Sequence, residues 1–140
     1  MFNKVLVATD GSDNAQKALE YVKGLLEKNI AGQAVVIHVT PKIIGDDHRG
    51  TELQIRAQQL ANVEAEQVVK KAQATFSGAA NVSFISLRGN AHEQIVKYAK
   101  DNQMDLIVMG RQGVSKIVEF FIGSTTNEVV RRSTVPVLTL

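Results

Sequence analysis

Short, continuous apolar runs alternate along this chain with segments of helical period, and that alternation restricts the fold more than any other feature. Val5-Leu6-Val7-Ala8, Ala34-Val35-Val36-Ile37-His38-Val39 and Asp105-Leu106-Ile107-Val108-Met109 have strand length and almost no polar interruption. Strands buried on both faces read this way, because neither side of the pleat meets water. Between the runs, Ala15, Ala18, Leu19, Val22, Leu25 and Leu26 recur at helical spacing, as do Leu53, Ala57, Leu60, Ala61, Ala65, Val68, Ala72 and Phe76 through Thr51 to Thr75. Each set gives one apolar face to lay on a sheet.

The punctuation agrees. Thr9-Asp10-Gly11-Ser12 closes the first run, with Ser12 or Asp13 placed to cap the helix that follows. Gly32 is read as the return turn, Pro41 as the end of the second run, and the polar stretch Lys42 to Gly50 as a loop. Val82 to Leu87 alternates apolar and polar residues, which suits a strand near a sheet edge. Gly89-Asn90 opens a helix whose inner face holds Ile95, Tyr98 and Ala99, and a short helix around Asn127 to Arg132 precedes a terminal strand, Val135 to Leu140. Strand, helix, strand in this order predicts an α/β fold, an open parallel sheet with right-handed crossovers and helices on both faces. With no internal repeat or linker, residues 1 to 140 read as one domain.

Composition excludes several kinds of function. Without cysteine there is no disulfide framework, thiolate metal site or cysteine nucleophile. The 16 Lys and Arg exceed the 14 Asp and Glu by only 2, too little for an electrostatic footprint on nucleic acid. No apolar run has the length of a signal peptide or a membrane span, so the expectation is a cytoplasmic protein with neither a nucleic-acid nor a membrane partner.

The chemistry concentrates where the run ending at Met109 delivers Gly110-Arg111-Gln112-Gly113, nine further residues, and then Gly123-Ser124. Phosphate oxygens need several N–H donors from backbone that approaches closely, and side chains at those positions would obstruct the approach. Gly110 and Gly113 would form a wall just beyond the strand. Gly123-Ser124 would stand at the start of the next helix, where unpaired N–H groups and a partial positive charge favour an anion. The hydroxyls of Ser124 and Thr125 would add donors or help order a phosphate-bound divalent cation. By chance this four-point spacing arises on the order of once in two hundred chains of this length, and its place between strand and helix strengthens it.

These residues make the chain resemble the universal stress proteins, whose nucleotide-binding members carry G-x2-G-x9-G-[S/T]. The likeness extends over essentially the whole chain, through Lys4-Val5-Leu6-Val7-Ala8-Thr9-Asp10-Gly11-Ser12, Asp105-Leu106-Ile107-Val108-Met109-Gly110 and Val135-Pro136-Val137-Leu138. It implies five parallel strands in the order 3-2-1-4-5, an adenine nucleotide alpha hydrolase-like sheet. It further implies adenine against Val39, Ala8 and Thr9, Asp10 near ribose and phosphates, Met109 beside the sugar, and phosphates on Gly110, Gly113, Gly123, Ser124 and Thr125. The implied ligand is ATP with Mg, the cation near Asp10 and Ser124, and the implied assembly is a homodimer through Val135 to Leu140. Thr125 departs from the apolar residue, often Val, that many such members carry. The bulky stretch Ile117 to Ile122 fills a spacer that the motif leaves unspecified.

Plainer readings stand beside these. Asp10 is placed equally well to order the turn and cap the first helix. His38, inside an apolar run, reads as a hydrogen-bonded core residue. Asp46-Asp47-His48 has metal-ligand chemistry, but adjacent residues in a polar loop point different ways. Gly45 and Gly50 have P-loop spacing with Thr51 where the lysine belongs, and no G-x-G-x-x-G follows the first strand. No residue stands out as a base to activate water. The leading expectation is therefore a nucleotide-dependent sensor or regulatory module in the stress response, with little or no turnover. A slow ATPase and a nucleotide-free dimeric interaction protein are the alternatives.

Overall fold

The computed structural model describes residues 1–45, 49–111 and 124–140. In chain order the elements are β1 (Phe2–Ala8), α1 (Asp13–Glu27), β2 (Ala31–Thr40), α2 (Glu52–Thr75), β3 (Val82–Arg88), α3 (Ala91–Asp101), β4 (Leu106–Met109), α4 (Ser124–Arg132) and β5 (Val137–Thr139). The strands form one sheet in the order β3-β2-β1-β4-β5, and every neighbouring pair is parallel.

The period of two along each strand divides the apolar residues between two cores. Val5 and Val7 of β1, Val36 of β2 and Val108 of β4 face α1 and α2, where Ala18, Leu19, Val22 and Ala72 meet them. Leu6, Ala8, Ile37, Ile107 and Met109 face the other way, onto Ile95 and Ala99 of α3 and Val129 of α4. Strand β1 therefore has both faces covered and both edges paired, and Val5, Leu6 and Val7 have no exposed surface. At its amino end Asp105 fixes the pairing with β4. Its Oδ2 accepts from the N–H groups of Asn3 at 2.7 Å and Lys4 at 2.9 Å, while its own N–H donates to the Lys4 carbonyl.

Several local expectations change. Gly32 lies inside β2 rather than in the turn; the reversal is made by Asn29, at φ 57°, and β2 already pairs with β1 at Ala31. A Cβ at Gly32 would stand 3.0 Å from the Asn3 carbonyl oxygen, so this glycine serves close strand approach. Helix α4 starts at Ser124, earlier than Asn127, and β5 is shorter than Val135 to Leu140. Pro136 and Leu140 still flank β5 in register, the Pro136 carbonyl accepting from Ile107 and the Leu140 N–H donating to Met109.

The apolar face read along α2 is buried only in its second half. Ala65, Ala72 and the following Phe76 are covered, whereas Leu53 is 79% exposed and Leu60 61%. At 24 residues α2 rises about 36 Å as helix, beyond the roughly 33 Å of the ten residues of β2 and roughly 23 Å of the seven of β3. Its first half is anchored instead by Gln58 to Pro41, Ile43 and Ile44 after β2. The first turns of α2 overhang the sheet.

Leu19→Ala should therefore lower the unfolding free energy by about 3 kcal/mol, and Leu53→Ala by less than about 0.5 kcal/mol, in urea titrations; equal losses would contradict the overhang. A Cβ at Gly110 would come within 2.7 Å of the Asn14 carbonyl carbon and 2.9 Å of the Ala15 nitrogen. Gly110→Ala should cost about 1–3 kcal/mol by the same measurement.

Candidate functional site

In an open parallel sheet the crevice lies beyond the carboxyl ends of strands whose crossovers leave in opposite directions. Here that point falls between β1 and β4, since β2 and β3 extend the sheet to one side of β1 while β4 and β5 extend it to the other. Ala8 and Met109 end β1 and β4 and Val39 is the last residue but one of β2, all on the α3/α4 side, Ala8 and Met109 buried in one core cluster and Val39 packed against that cluster. The residues expected to flank adenosine thus share one face of the sheet, at one end.

The turn after β1 is built from its own side chains. The Thr9 hydroxyl oxygen accepts from the Gly11 N–H at 3.2 Å, and Asp10 Oδ1 accepts from the Ser12 N–H at 2.9 Å. Ser12 in turn caps α1, its Oγ accepting from the Ala15 N–H. Asp10 therefore orders the turn while Ser12 performs the capping, and the second carboxylate oxygen of Asp10 takes no hydrogen bond among the described residues. Gly11 sits at φ 84°, in the left-handed region that favours glycine, and Lys71 of α2 brings its Nζ to within 3.2 Å of the Gly11 carbonyl. Sequence reasoning missed Lys71, because its 60-residue separation from Gly11 leaves no local signal.

Thr9 is buried, and both of its backbone polar groups are bonded. Its N–H donates to the Ile37 carbonyl at 3.0 Å, and its own carbonyl accepts from His38 Nδ1 at 2.9 Å. A carbonyl only accepts, so Nδ1 carries the proton. His38 is the hydrogen-bonded histidine expected of an apolar run, half-buried, and it holds the β1 exit against β2.

Across the crevice, Gly110 ends β4 hard against the backbone of Asn14 and Ala15. Close backbone approach is thus a reason for this glycine that needs no ligand. Its carbonyl accepts from the buried Thr126 hydroxyl at 2.9 Å, which ties the first turn of α4 to the end of β4. Ser124, exposed, and Thr125, half-buried, are the first two residues of that helix, where N–H groups lack intrahelical acceptors. Thr126 was not singled out from sequence, since a third hydroxyl residue after Ser124-Thr125 looks like a solvated helix start. Gly113, Gly123 and the stretch Ile117 to Ile122 lie outside the described residues, as does Asp46-Asp47-His48.

At the far end of α4, Arg132 Nε donates to Glu128 at 2.6 Å and, with Arg131 adding charge, holds the Glu128 carboxyl below the ordinary range. Protonating Glu128 therefore removes a contribution to stability only as pH falls below that range, and the pair stands away from the crevice. A groove of about 570 Å³ between α2 and β3 is lined by Thr40, Asn62, Lys70, Ser86 and Arg88 among others, and by none of the predicted site residues. Topology, not concavity, points to the candidate site at the ends of β1 and β4. Among the described residues no group of three or more His, Asp or Glu gathers to hold a metal, and no helix is long and apolar enough to cross a membrane.

Comparison with known proteins agrees with the architecture. The chain is 35% identical over 137 residues to the universal stress protein Slr1230 of Synechocystis, covering 97% of this chain but 42% of Slr1230, so it spans less than half of that relative. It is 29% identical to the universal stress protein MJ0577 of Methanocaldococcus jannaschii, with 99% of this chain and 94% of MJ0577 covered. The solved structure of MJ0577 superposes with a TM-score of 0.82 over 100% of this chain and 96% of that one. A universal stress protein of Archaeoglobus fulgidus, solved in complex with dAMP, shares the fold at 21% identity and a TM-score of 0.65, covering 99% and 97% of the two chains. The family model for the universal stress proteins matches residues 1–140, and this chain belongs to the universal stress protein family.

Proposed function

We propose that this chain is an adenine-nucleotide-binding module that takes ATP with Mg and acts as a nucleotide-dependent sensor in the cytoplasmic stress response, with little or no turnover. The observation that carries the reading is the meeting, at one end of the sheet, of an apolar wall from Ala8, Val39 and Met109 with the first turn of α4, tied to β4 at Gly110. An apolar wall suits a purine, and a helix start suits its phosphates. The complete glycine spacing from Gly110 through Gly113 to Gly123-Ser124, with Thr125 following, supports the same assignment, as does the dAMP bound to the Archaeoglobus fulgidus relative.

Magnesium fits this donor set. The ion keeps several waters and takes one or two carboxylates plus phosphate oxygens, and Asp10, one of whose carboxylate oxygens takes no hydrogen bond among the described residues, and the Ser124 hydroxyl are of that kind. Bound there, it would supply charge neutralisation to the phosphates. Thr9 contributes through its fixed backbone, and its hydroxyl, which accepts from the Gly11 N–H, keeps its own O–H to donate.

Dimerisation through the terminal strand belongs to the same proposal. Pro136 and Leu140 bond inward to β4, so the alternation of a parallel ladder turns the backbone groups of Val137 and Thr139 outward, to an edge that no strand among the described residues covers.

Isothermal titration with ATP and magnesium should show one site per chain, and Gly123→Val should weaken it by at least about tenfold, since a branched side chain blocks close backbone approach. No heat of binding with ATP, AMP or cAMP would leave the nucleotide-free interaction protein. Multiple-turnover phosphate release that vanishes in Gly123→Val would instead point to the slow ATPase. Thr139→Pro removes one outward N–H without touching the bonds to β4. It should shift a dimer towards monomer in light scattering, and an unchanged mass would exclude this edge.

A further inference from the structure

The peptide group joining Gly110 to Arg111 is held at both ends by different elements. Its carbonyl accepts from the Thr126 hydroxyl of α4 at 2.9 Å, and its N–H donates to the Leu140 carbonyl, just past β5, at 2.7 Å. The preceding carbonyl, of Met109, accepts from the Leu140 N–H at 2.9 Å. A threonine hydroxyl in a helix commonly bonds back within its own helix; this one is buried and reaches 16 residues back to a strand end.

From this geometry we infer that Thr126 is a positioning residue for the phosphate end of the nucleotide, an inference that rests on the nucleotide reading above. Gly110, which directly follows β4, and Ser124, the first residue of α4, are the first and last residues of the glycine spacing, and the bond from Thr126 fixes one relative to the other before any ligand arrives. The same bond keeps the Gly110 carbonyl, an acceptor that would repel an anion, committed to a donor. It also fixes the plane of the 110–111 peptide, and so the direction in which backbone leaves the strand. Preorganisation of this kind lowers the ordering cost of binding where the donors are backbone N–H groups. The purine end rests on Ala8, Val39 and Met109, which Thr126 does not order.

The test compares Thr126→Val, which keeps shape and loses the hydroxyl, with Thr126→Ser, which keeps the hydroxyl. ATP with magnesium, and adenosine, are titrated calorimetrically into each full-length variant and into the unmodified chain. Thr126→Val should lose about tenfold in ATP affinity, the worth of one hydrogen bond, with adenosine affinity unchanged and ATP affinity restored in Thr126→Ser. Amide exchange at Arg111, measured on ligand-free protein, should speed up in Thr126→Val and not in Thr126→Ser. It carries the test by itself if the valine variant is too unstable to titrate, with Thr126→Ala as a second hydroxyl-free variant. Equal ATP affinity in Thr126→Val, equal losses for ATP and adenosine, no rescue by serine, or unchanged Arg111 exchange would each overturn the inference. An unmodified chain that binds neither ligand would overturn the nucleotide reading, and this inference with it, and is distinct from a chain that binds ATP regardless of residue 126.

Discussion

The parallel pairing of β1 with β4 is the contact on which the rest of this molecule depends. Val5, Leu6 and Val7 lie beside Leu106, Ile107 and Val108, sealed by one core above and another below. All six residues of that strip are buried, so its stability comes from burial on both faces, roughly 25 cal/mol for each Å² of apolar surface removed from solvent. The Asp105 carboxylate, clamped by the Asn3 and Lys4 N–H groups, sets the register at the amino end of the strip. Because β4 joins the free edge of β1 while β2 takes the other, the crossovers diverge at the carboxyl end and leave the crevice open.

The two walls of the crevice are made rigid by different means. On the β1 side, short polar contacts hold the turn: Thr9 to Gly11, Asp10 to Ser12, Ser12 to Ala15, and His38 to the Thr9 carbonyl. On the β4 side a steric fit does the work, with Gly110 pressed on the backbone of Asn14 and Ala15 and its carbonyl held by Thr126. The two walls thus touch at the α1 start, which links the geometry of one to the other. Among the described residues no buried side-chain nitrogen or oxygen lacks a partner, so the buried side chains of both walls are satisfied within the chain.

Much of the architecture was legible in the residues. Continuous runs such as Val5 to Ala8 betray strands covered on both sides, the alternation in Val82 to Leu87 marked an edge strand, and β3 is one. The helix faces were legible only in part. Leu19 and Val22 are buried as their spacing suggests, but Leu53 and Leu60, equally in phase along α2, are exposed. Periodicity reports which residues share a face and says nothing about how far the opposing sheet extends. Gly32 misled for a related reason: a glycine that permits a turn and one that permits two backbones to approach look alike in sequence.

The sequence by itself determined the alternation of strand and helix, the parallel sheet that follows from it, and the glycine spacing that begins at Gly110, because these depend on local period and residue type. Tertiary structure alone decided that Ala8, Val39 and Met109 share one face, that Asp10 orders the turn while Ser12 caps α1, and that Gly110 must be glycine to meet Asn14. It alone paired Thr126 with Gly110 and Lys71 with Gly11, contacts across 16 and 60 residues. Such pairings are created when the sheet closes and helices are laid on it, so no local pattern of residues encodes them.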